Sequence, residues 1–217
     1  MKRNRFYRTS QHGGVGSTVM FWRVDGAGYT SNIDEAHVYT LEEAQGQIDS
    51  GHFCNNEHPL SADHVDELSE WRVDSQYLSA GHSDKNDQYV LVKRGKWDGN
   101  DVPFMMGVYS TTNYALAEVF TMQQAKNLSS RLSVSVEIYP KTMTDEVARR
   151  TFQFKNLNRR KMITSAGIVG CRKQRESTAT GKTRWNCPGC GKLSWQWNPY
   201  DFDGCKDHMC DEFNVYA

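Results

Sequence analysis

The chain has 217 residues, of which 38% are hydrophobic, and a mean hydropathy of −0.72. This length allows one or two domains with a real core. No apolar run approaches the roughly 20 residues that a membrane span needs, so we expect a soluble protein of a reducing cytoplasm. The net charge is zero, but residues 1–140 carry 12 Lys and Arg against 18 Asp and Glu, whereas residues 141–217 carry 14 against 8. The first part therefore suits a basic partner and the second a polyanion.

Residues 1–18 combine four basic side chains with a glycine-rich run, His12–Thr18, and show no hydrophobic periodicity. This composition predicts a flexible arm. The glycines resemble a phosphate-binding loop, but the Gly-Lys-Ser/Thr ending of such a loop is missing.

An internal repeat follows the arm. The segment Thr30–Ala44 recurs 81 residues later as Thr111–Ala125, with six of fifteen positions identical. Both copies contain a Thr-x-x-Glu/Gln capping box, which is typical of a helix start that follows a short strand. We therefore predict an α+β fold with two tandem β-β-α units, at residues 19–80 and 88–140. The alternating run 132–139 should form a half-buried strand of the second unit, and Trp71–Tyr77 its counterpart in the first.

The first copy contains Phe-Trp-Arg-Val-Asp-Gly-Ala-Gly-Tyr-Thr-Ser at residues 21–31, then Glu35-Ala36 and the Thr-Leu-Glu-Glu-Ala helix start. In these features it resembles small uncharacterised proteins of tailed bacteriophages. The resemblance is confined to the repeated unit and carries no catalytic residue. It implies a phage accessory protein in the host bacterial cytoplasm, a class rich in factors that bind host machinery, nucleic acid or defence systems.

The loop within the first unit places His52, Cys54, His58 and His64 within thirteen residues. A second metal site is one interpretation. The spacings match no familiar ligand pattern, however, and polar loops often collect histidines that are solvated or locally hydrogen-bonded. Both interpretations stay open from the sequence.

Residues 141–184 are expected to form a helix and a basic connector. Thr144 with its following acids predicts a helix that begins there and runs towards Phe154. Basic side chains then accumulate, and eight of them are candidate nucleic-acid contacts: Arg159, Arg160, Lys161, Arg172, Lys173, Arg175, Lys182 and Arg184. A solvated linker is the alternative interpretation.

The connector leads into five aromatic side chains, which are Trp185, Trp195, Trp197, Tyr200 and Phe202. Cations that neutralise phosphates beside rings that stack on bases are the usual composition of a nucleic-acid surface. So small a module needs about two of the five rings for its own packing. Trp195 and Trp197 complete the candidate contact set.

Residues 185–217 carry four cysteines in two close pairs. Cys187-Pro-Gly-Cys190 is separated by a 14-residue spacer from Cys205 and Cys210. This spacing predicts a zinc-ribbon-like module with one structural zinc ion. His208 is an alternative fourth ligand to Cys210, and two disulfides in a secreted domain are the alternative to metal.

The cysteine pattern does not indicate an enzyme. Zinc deaminases need a His-x-Glu and a proline before the cysteine pair, whereas Pro188 lies inside the pair and no His-x-Glu occurs. Four thiolates also leave no open coordination position. We expect a non-enzymatic protein that binds nucleic acid or a host complex that handles nucleic acid. An inhibitor that acts by protein contact alone is the alternative, and a metal-dependent nuclease using Asp207-His208 is a lesser one. The partner, the choice of DNA or RNA and the oligomeric state stay open.

Overall fold

A computed structural model describes residues 4–51, 57–79, 83–95, 97–171 and 181–215. The chain divides into two compact units, Met1–Lys173 and Gln174–Ala217. Small antiparallel sheets and a few short helices make the fold α+β, as the sequence predicts. Within the described ranges, no helix combines the length and the apolar character that crossing a membrane requires.

The first half of the larger unit is built on a four-stranded sheet with the order β3-β2-β1-β4. Its elements are β1 Phe6–Val15, β2 Thr18–Trp22, β3 Tyr29–Thr30, α1 Leu41–Asp49, β4 Pro59–Ser61, α2 Ala62–Glu67 and β5 Glu70–Val73.

The second half of the larger unit has a sheet with the order β8-β7-β6-β9. Its elements are β6 Tyr89–Lys93, β7 Phe104–Met106, β8 Tyr109–Thr111, α3 Met122–Arg131, β9 Val136–Pro140, α4 Lys141–Val147 and β10 Ala148–Thr151.

The prediction of a flexible arm is wrong for the described residues after Asn4. Residues 6–15 form β1, which pairs with both β2 and β4. Phe6 and Tyr7 are buried there, but Thr9 and Ser10 are buried too. Thr9 accepts a hydrogen bond from the His58 amide at 2.8 Å. Polar residues at interior positions hide the period-two pattern by which a strand is recognised.

Both capping boxes form as predicted. Thr40 caps α1 with Glu43, and Thr121 caps α3 with Gln124. The residue before each capping threonine also makes the same contact in both copies. Tyr39 forms an isolated β-bridge with Phe6 in β1, and Phe120 forms one with Tyr89 in β6.

One strand prediction and one helix prediction need correction. The fourth strand of the first sheet is β4, not Trp71–Tyr77, and β5 pairs with β10 instead, with Trp71 opposite Arg150. The predicted helix from Thr144 to Phe154 is also wrong, because α4 ends at Val147 and the chain continues into β10. Thr144 is buried, and its hydroxyl bonds back to the Lys141 carbonyl rather than capping a helix.

Each half forms a backbone hydrogen bond to the other half, in or directly after its last strand. The Val19 amide donates to the Phe152 carbonyl at 2.8 Å, and the Val102 amide donates to the Val73 carbonyl at 3.0 Å. Close to these bonds Gly16 and Gly99 approach each other, with φ of +60° and +64°. A Cβ on Gly99 would lie 2.7 Å from the Gly16 nitrogen, so both positions require glycine.

Charged side chains are buried at the same junction. Arg72 is 3% exposed and bonds to Asp98 at 2.6 Å and to Asp101 at 3.3 Å. Asp101 also accepts a hydrogen bond from the Thr18 hydroxyl. A buried carboxylate is tolerated only when it is paired in this way, so the network fixes the register between the halves.

The smaller unit contains one antiparallel hairpin, β11 Thr183–Asn186 and β12 Leu193–Gln196. In its register Arg184 faces Trp195 and Asn186 faces Leu193. The cysteine pairs lie at the end of this hairpin and in the segment that follows it.

Candidate metal centre and hairpin face

The candidate ligand atoms of four cysteines converge in the smaller unit. The sulfurs of Cys187, Cys190, Cys205 and Cys210 all lie within 4.8 Å of one another. The Cys187–Cys210 and Cys190–Cys205 pairs are 3.5 and 3.6 Å apart. A tetrahedral ion with bonds of about 2.3 Å separates its sulfurs by about 3.8 Å, whereas a disulfide needs about 2.05 Å. The cluster therefore has the dimensions of a metal site and not of two disulfides. Four sulfurs in this arrangement suit zinc or iron.

The first cysteine pair is positioned by the end of the hairpin. The Cys187 amide donates to the Lys192 carbonyl at 2.9 Å, and the Gly191 amide donates back to Cys187 at 2.8 Å. The Cys190 amide points at the Cys187 sulfur at 3.5 Å. Gly189 lies against the other pair, since a Cβ there would be 3.2 Å from the Cys210 sulfur. The Pro-Gly turn thus brings both thiols to one side.

The second pair closes a short loop. The Cys205 amide donates to the Glu212 carbonyl at 2.7 Å, and the Asn214 amide donates to the Cys205 carbonyl at 2.9 Å. His208 is exposed and does not belong to the ligand cluster among the described residues. The geometry therefore favours Cys210 as the fourth ligand.

The thiols differ in acidity because their hydrogen bonds differ. Burial raises the pKa of Cys187, but backbone donors at Cys190 and Gly189 outweigh it and lower the pKa to about 7. The Glu212 amide lowers the pKa of Cys210, while burial and hydrogen bonds with the neighbouring thiols raise it to about 12. Four thiolates this close would repel one another, so a bound cation would compensate their charge and its binding would release protons.

Two of the five aromatic rings pack the module, as the sequence predicts. The rings of Trp185 and Phe202 lie 6.3 Å apart, and Trp185 Nε1 donates to the Asn198 carbonyl at 3.2 Å. The buried amide of Gln196 supports the same side, because its Oε1 accepts from the Asp203 amide at 2.6 Å. Tyr200 is 87% exposed and does not share in this packing.

The opposite side of the hairpin is exposed, and we call it the hairpin face. Trp195 is 55% exposed and Trp197 68% exposed. Arg184 pairs with Trp195 across the strands, and the Lys182 ammonium lies 5.2 Å from the centre of the Trp197 ring. Asn186 and Leu193 complete the face by strand alternation. That alternation is readable in the sequence, but which side is buried depends on Ser194 and Gln196, two polar residues that give no hydrophobic signal.

Three of the remaining candidate nucleic-acid contacts, Arg159, Arg160 and Lys161, lie in the described part of the larger unit. Arg160 and Lys161 are exposed at the start of a π-helix, Arg160–Thr164. Arg159 instead donates to the ring of His58 at 3.0 Å. The predicted contacts Arg172, Lys173 and Arg175 lie outside the described residues.

The second metal site gains no support. His52 and Cys54 lie outside the described residues, whereas His58 and His64 do not belong to a metal-binding group in the part of the chain that the structure covers. His58 has Arg159 against its ring, which opposes a bound cation.

The chain matches no protein-family model, no curated protein and no solved structure. The resemblance of the first copy to phage proteins therefore stays a prediction.

Proposed function

We propose that this chain is a non-enzymatic nucleic-acid-binding protein whose hairpin face makes the contact and whose four-cysteine cluster holds a structural zinc ion. The observation that carries the proposal is the hairpin face itself, where Lys182 and Arg184 lie beside the exposed rings of Trp195 and Trp197. Cations supply phosphate contacts and exposed rings supply stacking, the two main sources of affinity for nucleic acid.

Zinc has a supporting role in this proposal. Four protein sulfurs fill a tetrahedral coordination shell and leave no position for water or substrate. The smaller unit has one two-stranded hairpin, which is only marginally stable on its own in water. Metal binding therefore supplies folding free energy and fixes the hairpin face.

We also propose that the larger unit consists of two copies of one folding unit. The shared strand order, the paired capping boxes and the reciprocal amide bonds at Val19 and Val102 support this duplication. The duplicated body then carries further cations at Arg160 and Lys161. The resemblance of the first copy to phage proteins supports a phage accessory role in the bacterial cytoplasm, with nucleic acid or a host complex that handles it as the partner.

Charge reversal on the hairpin face tests the proposal. Lys182→Glu/Arg184→Glu should lower the affinity of the full-length protein for a DNA or RNA oligonucleotide and reduce the salt slope by about 1 for each lost phosphate contact. Fluorescence anisotropy over a series of salt concentrations measures both quantities.

The matched control is Lys85→Glu/Lys126→Glu, which makes the same charge change at two exposed sites of the larger unit. It should leave most of the affinity intact. Equal losses of affinity in the two variants would show that net charge alone explains the effect. Absence of oligonucleotide binding by the native protein would refute the proposal in favour of a protein partner.

A further inference from the structure

We infer that the hairpin face selects single-stranded nucleic acid and stacks its unpaired bases on Trp195 and Trp197. This inference rests on the nucleic-acid binding proposed above and names the form of nucleic acid that the same face takes. It follows from the spacing of the rings, the placement of the charges and the surfaces of the bases themselves.

The two rings are spaced for consecutive bases. Trp195 lies in β12 and Trp197 directly follows its last residue, Gln196, so the rise of about 3.3 Å per residue in extended chain puts their backbones about 6.6 Å apart. An extended single strand adjusts to such a spacing because its bases are not held in a continuous stack. Each ring can then receive one base.

Trp197 contacts the start of the hairpin and still keeps most of its surface in solvent. Gly181 has φ of +69°, and a Cβ at that position would lie 3.0 Å from the Trp197 ring. The ring therefore rests on backbone at Gly181, with the Lys182 ammonium 5.2 Å from its centre. Because 68% of the residue is still exposed, the remaining surface faces solvent.

Charge on the hairpin face complements a phosphate backbone. Lys182 and Arg184 lie two residues apart at the start of the hairpin, beside Trp197 and Trp195 respectively, and the six face residues include no carboxylate. The acidic side chains of the described smaller unit all lie between residues 201 and 212. A single nucleic-acid strand can therefore run along the hairpin with its phosphates on one side and its bases on the other.

A duplex cannot use this face equally well. Its bases are stacked on one another, so a protein reaches only their edges within the grooves. The exposed indole rings of Trp195 and Trp197 match the flat surfaces that only unpaired bases present. The hairpin face should therefore prefer a single strand over a duplex.

The experiment compares a 12-nucleotide single strand, as poly-dT and as poly-rU, with a 12-base-pair duplex, using full-length protein and tryptophan fluorescence. We expect the single strands to bind at least about tenfold more tightly than the duplex. Trp195→Ala and Trp197→Ala should each weaken single-strand binding by about 5- to 150-fold, the range expected for one lost stacking contact.

Two controls separate stacking from folding. Trp97→Ala removes an exposed tryptophan of the larger unit and should have no effect. Trp195→Phe should retain most of the affinity, because phenylalanine also stacks, and the metal content of each variant reports whether the smaller unit is intact.

The outcomes are distinct. Equal binding of duplex and single strand, or full affinity in both alanine variants with their metal content unchanged, overturns the inference. If Lys182→Glu/Arg184→Glu still weakens binding in that case, nucleic-acid binding survives without strand selection. If the protein binds neither the single strands nor the duplex, both proposals are refuted, and a protein becomes the expected partner of the hairpin face.

Discussion

At the scale of single residues, His58 follows one of the two interpretations that the sequence leaves open, a locally hydrogen-bonded histidine rather than a metal ligand. It stood among candidate metal ligands, yet it is half-buried beneath Arg159 and next to Glu57, whose carboxylate bonds to Arg8 at 2.6 Å. Burial and then the Arg159 charge lower the pKa of His58 to about 4, although Glu57 opposes this effect. Arg159 lies 101 residues from His58 in sequence, so no local pattern could reveal this contact.

The depressed pKa makes the stability of the larger unit depend on pH. Unfolded histidine has a pKa of about 6.5, so between pH 6.5 and 4 the unfolded chain binds a proton that the folded chain does not. The free energy of unfolding should be highest above pH 6.5 and fall by about 1–2 kcal/mol towards pH 4, a range that allows for screening of the charges by solvent. Urea unfolding of the larger unit at pH 7 and pH 4.5 measures this change in the free energy of unfolding.

His58→Gln should remove the part of the stability loss that comes from His58, whereas His12→Gln, at an exposed site, should keep it. The same pH dependence in both variants would contradict the assignment.

At the scale of elements, the sequence predicts what is decided locally. Thr40 with Glu43 and Thr121 with Gln124 start their helices because a capping box needs only four consecutive residues. The cysteine cluster was equally readable, since ligand type and spacing define it. Strands β1, β4 and β10 were missed because pairing with distant segments decides their conformation, and β10 forms where the sequence favours a continued helix.

The smaller unit should depend on its metal. Cys187→Ser removes a buried ligand, so the protein should lose its bound metal and the hairpin should unfold, because metal binding supplies folding free energy there. The larger unit has its own hydrophobic clusters and should keep its thermal transition. Elemental analysis together with calorimetry checks both expectations. His208→Ser is the matched control, since that side chain is exposed. Unchanged metal content in the Cys187 variant would refute the assignment of Cys187 as a metal ligand.

At the scale of the whole molecule, the chain divides into two compact units with different features. In the larger unit the two halves meet at the Gly16–Gly99 approach and at the buried Arg72–Asp101 pair. The smaller unit presents the hairpin face and the candidate metal centre. The charge asymmetry and the aromatic residues were visible in the sequence, but only the strand register shows that Arg184 and Trp195 share one surface.

The most direct measurement is the affinity of full-length protein for a single-stranded oligonucleotide before chelation, after metal removal and after zinc is added back. Elemental analysis must show that the metal has left and returned. If zinc holds the hairpin face in place, affinity should fall with metal removal and recover with zinc. Affinity that stays unchanged in the metal-free protein would contradict the account, because the hairpin face would then not depend on the four cysteines or would not be the contact surface.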